Sequence, residues 1–144
     1  MKIYLDISVL NRIFDDQAQP RVLLETSSFL VILSSMLKGD IDIINSDILQ
    51  YENEKNPFPE RKLFVKSVLQ KANEYIKFDQ NSRRRGLEIT DLTILATDAL
   101  HLASAEKSGV DYFVTCDDRI IKKYSGKIKV INPVGFVQEL LKEE

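Results

Sequence analysis

The stretch Thr97-Asp98-Ala99-Leu100-His101-Leu102-Ala103-Ser104-Ala105-Glu106-Lys107-Ser108-Gly109-Val110-Asp111-Tyr112-Phe113-Val114-Thr115-Cys116-Asp117-Asp118 reads as a helix followed by a strand. Thr97 is suited to cap a helix from Asp98 to about Lys107. Ser108-Gly109 ends it, because glycine takes the left-handed conformation that stops a helix. Tyr112-Phe113-Val114-Thr115 is a short apolar run of strand-forming residues. One acid therefore stands at the head of the helix, and another just past the strand.

The same alternation extends in both directions. Ile3-Tyr4-Leu5 is a first strand. Pro20 to Lys38 carries Val22, Leu23, Phe29, Leu30, Leu33 and Leu37 at largely helical spacing and ends at Gly39. Ile41 to Ile44 is a second strand. Ser46 then caps a helix running toward Glu54, with Asp47 in its first turn, and Asn56-Pro57 stops it. Pro59 begins another helix through about Ala72, with Leu63, Phe64, Val68 and Leu69 on its apolar face. Tyr75 to Phe78 reads as a third strand and Asn81 to Leu95 as partly helical. Asp118 to Lys123 is a short helix, Ile128 to Ile131 a fifth strand, and Pro133 opens a helix to the C-terminus. Strands separated by helices join by right-handed crossovers into a parallel sheet. The expectation is a single α/β domain over residues 1–144. It is a three-layer α/β/α sandwich on a central parallel sheet of about five strands. Ligands of such sheets bind at the carboxyl ends of the strands, near a switch in strand order.

Composition narrows the chemistry. The chain has 144 residues, of which 44% are hydrophobic and 29% charged, with a net charge of −2. Bulk polycationic binding of nucleic acid is thereby excluded. One cysteine, Cys116, rules out an internal disulfide and a cysteine zinc cluster. One histidine, His101, rules out a multi-histidine metal site. Any catalysis falls mainly to carboxylates. The start of the chain is too short an apolar run for a signal peptide. The longest apolar stretch, around Phe29 to Leu37, is broken by Ser34 and Ser35 and is about half a membrane span. A cytoplasmic protein without a membrane association is expected.

Most of the 22 acids belong to solvated helix faces. Asp6 ends the first strand, and Asp117 follows the fourth by one residue. Both belong at the carboxyl edge of the sheet. Each alone fits an N-cap or a loop hydrogen bond equally well. Held close, two such charges cost free energy unless a cation compensates, and a hard divalent ion with oxygen ligands is the usual answer. Asp98 shares a helix face with Leu102 and Ala105. Ala99, Ala103 and Ala105 suggest close packing on the sheet, which would carry Asp98 toward the site. Compensation of the helix dipole is its plainer reading. Glu52 lies six residues after Ser46 and borders the buried face, with Glu54 as the alternative acid. His101, one turn past Asp98, could reach the site, but packing or a hydrogen bond to backbone is the favoured reading.

With these acids placed, the chain resembles the PIN domain family, and its VapC-like bacterial toxin ribonucleases in particular. The likeness runs through Tyr4-Leu5-Asp6-Ile7-Ser8-Val9-Leu10-Asn11, the helix from Ser46 to Glu52, Asp98 to Glu106, and Phe113 to Arg119. Asp15-Asp16-Gln17 followed by Arg21 and Glu25 looks like one bacterial subgroup. The resemblance implies a Mg²⁺- or Mn²⁺-dependent endoribonuclease. Its catalytic and metal-holding residues would be Asp6, Glu52, Asp98 and Asp117, binding one or two ions. It places the Asp6 and Asp117 strands side by side. Ser8 and Thr115 match polar positions near the metal, and Asp118 and Arg119 are possible helpers. The first motif reads Asp-Ile-Ser where threonine or a small residue is common, and Ile7 is expected to face the core.

An RNA substrate needs cations. The segment from Lys55 to Arg85 holds nine basic residues against three acids, and Arg119 to Lys129 adds five bases and no acid. Arg83, Arg84, Arg85, Lys122 and Lys123 are the candidate nucleic-acid contacts, against the plainer reading of solvated helix faces. By resemblance, a protein antitoxin is a partner. The apolar faces of the helices at Pro20 to Lys38 and Pro59 to Ala72 suit an antitoxin helix or a homodimer, though core burial explains them equally. The alternatives are an RNA-processing nuclease outside a toxin–antitoxin pair and a non-catalytic binding module on the same fold. A phosphotransferase of the haloacid dehalogenase type wants a second aspartate where this chain has Ser8.

Overall fold

The computed structural model describes residues 1–143. Five strands form one sheet: β1 (Lys2–Leu5), β2 (Asp42–Ser46), β3 (Glu74–Ile76), β4 (Tyr112–Val114) and β5 (Lys129–Ile131). Their order is β3-β2-β1-β4-β5, and every pair is parallel. This is the expected three-layer sandwich. Helices α1 (Ile7–Leu10), α2 (Pro20–Leu37), α3 (Asp47–Glu54), α4 (Pro59–Leu69), α5 (Gln80–Thr90), α6 (Ala96–Ser108), α7 (Asp118–Lys123) and α8 (Pro133–Lys142) connect and cover it. Glu144, at the end of the helix expected from Pro133, lies outside the described residues.

The central strands are apolar without alternation because both sheet faces are covered. Ile3, Tyr4, Leu5, Ile43, Ile44, Phe113 and Val114 are all within 1% of complete burial. Against them pack Phe29 and Ile32 from α2, Ala99, Leu102 and Ala105 from α6, and Phe136 from α8. The expected small-residue face of α6 is thus buried. On its other flank α5 approaches so closely that a methyl group on Gly86 would stand 2.8 Å from Leu100.

Chain order decides where a site can form. From β1 the chain moves outward to β2 and β3, then crosses back to β4 on the other side of β1. The crevice between β1 and β4 is the switch point of the sheet. Register does the rest. Leu5 pairs with Val114, Lys2 with Asp42, and Val114 with Ile131. Carried one residue past the strands, this register aligns Asp6 with Ser46 on one side and Thr115 on the other, with Asn132 beyond. Three of these four cap the helix that follows: Asp6 on α1, Ser46 on α3 and Asn132 on α8.

The structure differs from the sequence reading at several ends. β3 comprises Glu74–Ile76 rather than Tyr75 to Phe78, and α5, Gln80–Thr90, starts one residue before the stretch read as partly helical and ends five residues before its end. α6 starts at Ala96 with Leu95 as its cap, so Thr97 lies inside the helix and caps nothing. α1, a single turn after Asp6, was not anticipated, because four residues are too few to show a period. Among the described residues, α2 alone is long and apolar enough by composition to cross a membrane. In the fold it is a core helix whose Val22, Glu25, Phe29, Ile32 and Met36 are buried.

Candidate metal site at the carboxyl edge of the sheet

Asp6 stands where β1 turns into α1. It is 3% exposed, and its carboxylate accepts three hydrogen bonds. The Ile7 amide donates to one oxygen at 2.9 Å. The hydroxyls of Ser8 and Thr115 donate to the other at 2.8 and 2.7 Å. Those hydroxyls are held in turn, since Ser8 Oγ accepts from the Cys116 amide and Thr115 Oγ1 from the Asp117 amide. Ser8 and Thr115 therefore orient Asp6, consistent with the polar roles the resemblance gave them. The same bonds fasten the β4–α7 turn to β1, which brings Asp117 to the edge of the site. Ile7 packs against the core as anticipated.

Asp98 lies in the first turn of α6 and lines a cavity of about 60 Å³ with Asp117, Arg119, Leu95, Ile120 and Lys123. That space suits a few waters or one hydrated ion. Among the described residues nothing donates a hydrogen bond to its carboxylate. Burial pushes Asp98 up to about 6, and the negative charges of Asp6, Asp117 and Glu52 add to that against the opposing effect of His101. The other three predicted acids thus all act on Asp98. The four have not closed on one point: among the described residues, no three Asp, Glu, His or Cys side chains are drawn together tightly enough to hold an ion. The reason is local. Asp6 is tied by hydroxyls, Glu52 by His101, and Asp117 by Arg119.

Asp117 caps α7 and accepts two bonds from the Arg119 guanidinium, which hold it below the usual carboxylate range. Arg119 is therefore this acid's partner. Asp118 turns away to a bidentate pair with Arg21 at 2.7 and 2.8 Å, so it does not face the cavity as a helper was expected to. Of the two glutamates on α3, Glu52 points inward and meets His101, whereas Glu54 is exposed and pairs with Lys62. His101 is a packing residue, edge-on to Tyr4, but among the described residues its hydrogen bonds go to side chains and not to backbone. It is fully buried, with Nδ1 2.7 Å from the Tyr4 hydroxyl and Nε2 2.5 Å from Glu52. A sequence cannot give that contact, which joins β1, α3 and α6.

The candidate nucleic-acid contacts divide. Arg83, Arg84 and Lys122 are exposed. Arg85 is not a free phosphate clamp, because its guanidinium is spent on Glu106 and Glu88. Lys123 lines the cavity and reaches the Thr93 carbonyl at 3.2 Å. Thr93 lies on the rim with φ of 62°, a conformation rare for a β-branched residue. No sequence signal marked it.

The donor set fits a hard divalent cation. It is all oxygen and anionic, and it lies in a crevice where one carboxylate has no donor of its own. Asp6, Asp98 and Asp117, with Glu52 behind them, are the residues that would hold such an ion.

A family model described as the PIN domain matches residues 3–127. Three solved structures share the fold. VapBC2 from Rickettsia felis, bound to a promoter DNA fragment, aligns with a TM-score of 0.62 at 18% identity, covering 92% of this chain and 98% of that one. DNA-bound VapBC from Salmonella typhimurium aligns at 0.54 and 20% identity, with the same coverage. PAE2754 from Pyrobaculum aerophilum aligns at 0.53 and 15% identity, covering 100% and 91%. No curated protein matches the sequence.

Proposed function

The chain belongs to the PIN domain family, a family of nucleases, and from that premise we propose that it is a Mg²⁺- or Mn²⁺-dependent endoribonuclease acting as the toxin of a toxin–antitoxin pair. The observation that carries the reading is the uncompensated charge at the switch point: Asp98, without a donor and raised to about 6, facing Asp6 and Asp117. A divalent ion held there supplies the charge to activate water and to neutralise a phosphate. The chain's own residues do the rest. Ser8 and Thr115 keep Asp6 in one rotamer. Asp98 contributes a carboxylate on a rigid helix, and a cation paired with it would offset the cost of burying its charge. Arg119, paired with Asp117 and exposed, could yield that carboxylate to a bound cation and turn to a phosphate. Lys123 and Lys122 on α7, and Arg83 and Arg84 on α5, offer positive charge to an RNA backbone.

Two observations support a protein partner. α2 presents Leu23, Leu24, Leu30, Val31 and Leu37 to solvent, each more than 40% exposed. Two of the similar structures are VapBC complexes. A cytoplasmic enzyme acting on RNA fits this reading.

The test is cleavage of single-stranded RNA by purified protein with Mn²⁺ and with chelator. Cleavage should require the ion, and Asp6→Asn should reduce it at least about 1000-fold, some 4 kcal/mol of barrier, with the fold intact by circular dichroism. Equal cleavage by wild type and Asp6→Asn, with contaminating nuclease excluded, would refute the assignment.

A further inference from the structure

We propose that His101 is a positioning residue that aims the Glu52 carboxylate into the site, and that Tyr4 and Ser46 fix the tautomer in which it does so. The inference rests on the reading of Glu52 as one of the metal-holding acids.

Four side chains form an unbroken line of hydrogen bonds through the protein interior. Ser46 Oγ lies 2.7 Å from the Tyr4 hydroxyl, which lies 2.7 Å from His101 Nδ1. His101 Nε2 lies 2.5 Å from Glu52 Oε2. Ser46, Tyr4 and His101 are completely buried, so an unmatched polar atom among them would be costly.

The protons can be placed by counting. Ser46 Oγ already accepts the Leu49 amide at 3.0 Å as the cap of α3. Its own proton then has one acceptor, the Tyr4 oxygen. Tyr4 in turn donates to His101 Nδ1, which must present a lone pair. The ring proton is left on Nε2, where it donates to Glu52. The opposite direction leaves the Ser46 proton without an acceptor and sets a bare Nε2 lone pair against an anionic carboxylate. Only the first arrangement satisfies every atom.

The line has a mechanical consequence. It starts at the cap of α3, passes through β1 and α6, and returns to α3 six residues after the cap. His101 is one turn from Asp98 on the same helix. The two helices that carry Glu52 and Asp98 are therefore pinned at the site itself. Glu52, whose side chain is 27% exposed, is kept from swinging into solvent. Outer hydrogen-bond partners of this kind set the orientation of a ligand more than its identity.

The chain has a single histidine, so one imidazole reports the arrangement. In metal-free wild-type protein, ¹⁵N spectra of that ring should show a protonated Nε2 and a bare Nδ1. The reverse tautomer overturns the proposal. Mn²⁺ alone, titrated by calorimetry, tests the consequence. His101→Asn, too short to reach Glu52, should weaken Mn²⁺ binding about 10- to 100-fold. His101→Gln, whose amide nitrogen stands near the place of Nε2, should recover most of that loss. Tyr4→Phe should weaken binding less than His101→Asn and show both tautomers in the spectrum, and it serves if the histidine variants fail to fold. Suppose Glu52→Gln weakens Mn²⁺ binding while His101→Asn and Tyr4→Phe bind as wild type. The positioning role then falls and the carboxylate site stands. If Glu52→Gln itself binds Mn²⁺ as tightly as wild type, the reading of Glu52 fails and takes this inference with it.

Discussion

Two clusters of acids lie side by side at the carboxyl edge of this sheet, and they are built in opposite ways. One centres on Glu25, a core position on α2 only 1% exposed. Burial alone would raise its pKa. Asn132, Arg12 and Arg21 donate to it and hold it below the usual carboxylate range. Arg21 continues to Asp118 and to the Cys116 carbonyl, so this cluster braces the β4–α7 turn from outside. The other cluster comprises Asp6, Asp98, Asp117 and Glu52. Its donors are hydroxyls, amides, one imidazole and one exposed arginine, and Asp98 has none. Glu25 has its countercharge built in, from Arg12 and Arg21. The second set is left short of one, which is what the proposed cation would supply.

That contrast sets the order of expected effects. The loss of cleavage in Asp6→Asn is the largest. Next comes the compensated cluster. Glu25→Ala would leave Arg12 only Asp15 and Arg21 only Asp118, beside a buried hole, and should cost about 3 kcal/mol of stability, read as a lower midpoint in urea. A variant as stable as wild type would show that Glu25 is not the brace its contacts suggest.

The uncompensated cluster should answer with the opposite sign. Asp98 has a folded pKa of about 6 against 3.8 for an ordinary aspartate. Between those values the folded state binds more protons than the unfolded one, so stability falls as pH rises through the window. Asp98→Asn removes this penalty. In chelator at pH 7.5 it should be more stable than wild type by about 1–2 kcal/mol, a figure reduced from the full shift because Asp98 is only partly buried. The advantage should disappear near pH 4. A destabilised Asp98→Asn at neutral pH would mean that the charge is already compensated within the chain.

The smallest effect concerns the rim. Thr93→Gly releases a left-handed β-branched residue and should stabilise by less than about 1 kcal/mol, glycine's own flexibility offsetting part of the gain. Thr93→Val keeps the strain and should gain nothing in the same thermal melts.

Much of this fold is legible in the linear order of residues. The apolar run at Ile3–Leu5, the cap at Ser46, Gly109 with its φ of 69° and the prolines at 20, 59 and 133 each act through neighbours in sequence. β3 was displaced by one or two residues, because a three-residue strand at the sheet edge carries little pattern. The cap of α6 fell to Leu95 rather than Thr97, since the packing of Ala99, Leu102 and Ala105 decides where that helix must start. The places of Asp6, Asp98 and Asp117 in the fold are legible because strand ends and helix starts are local facts. Choosing Glu52 over Glu54 was not, for two glutamates two residues apart differ only in what faces them.

Sequence alone determined the alternation of strand and helix, the exclusion of a multi-histidine or cysteine-cluster metal site, and the places of the candidate acids at strand ends and helix starts. Each follows from composition or from interactions a few residues long. Only the tertiary structure decided which charges are answered. Arg21 takes Asp118, Arg119 takes Asp117, Arg85 is spent on Glu106, and His101 reaches Glu52. Charge acts through space. Once the chain has crossed back to set β4 beside β1, residues a hundred positions apart settle one another's protonation.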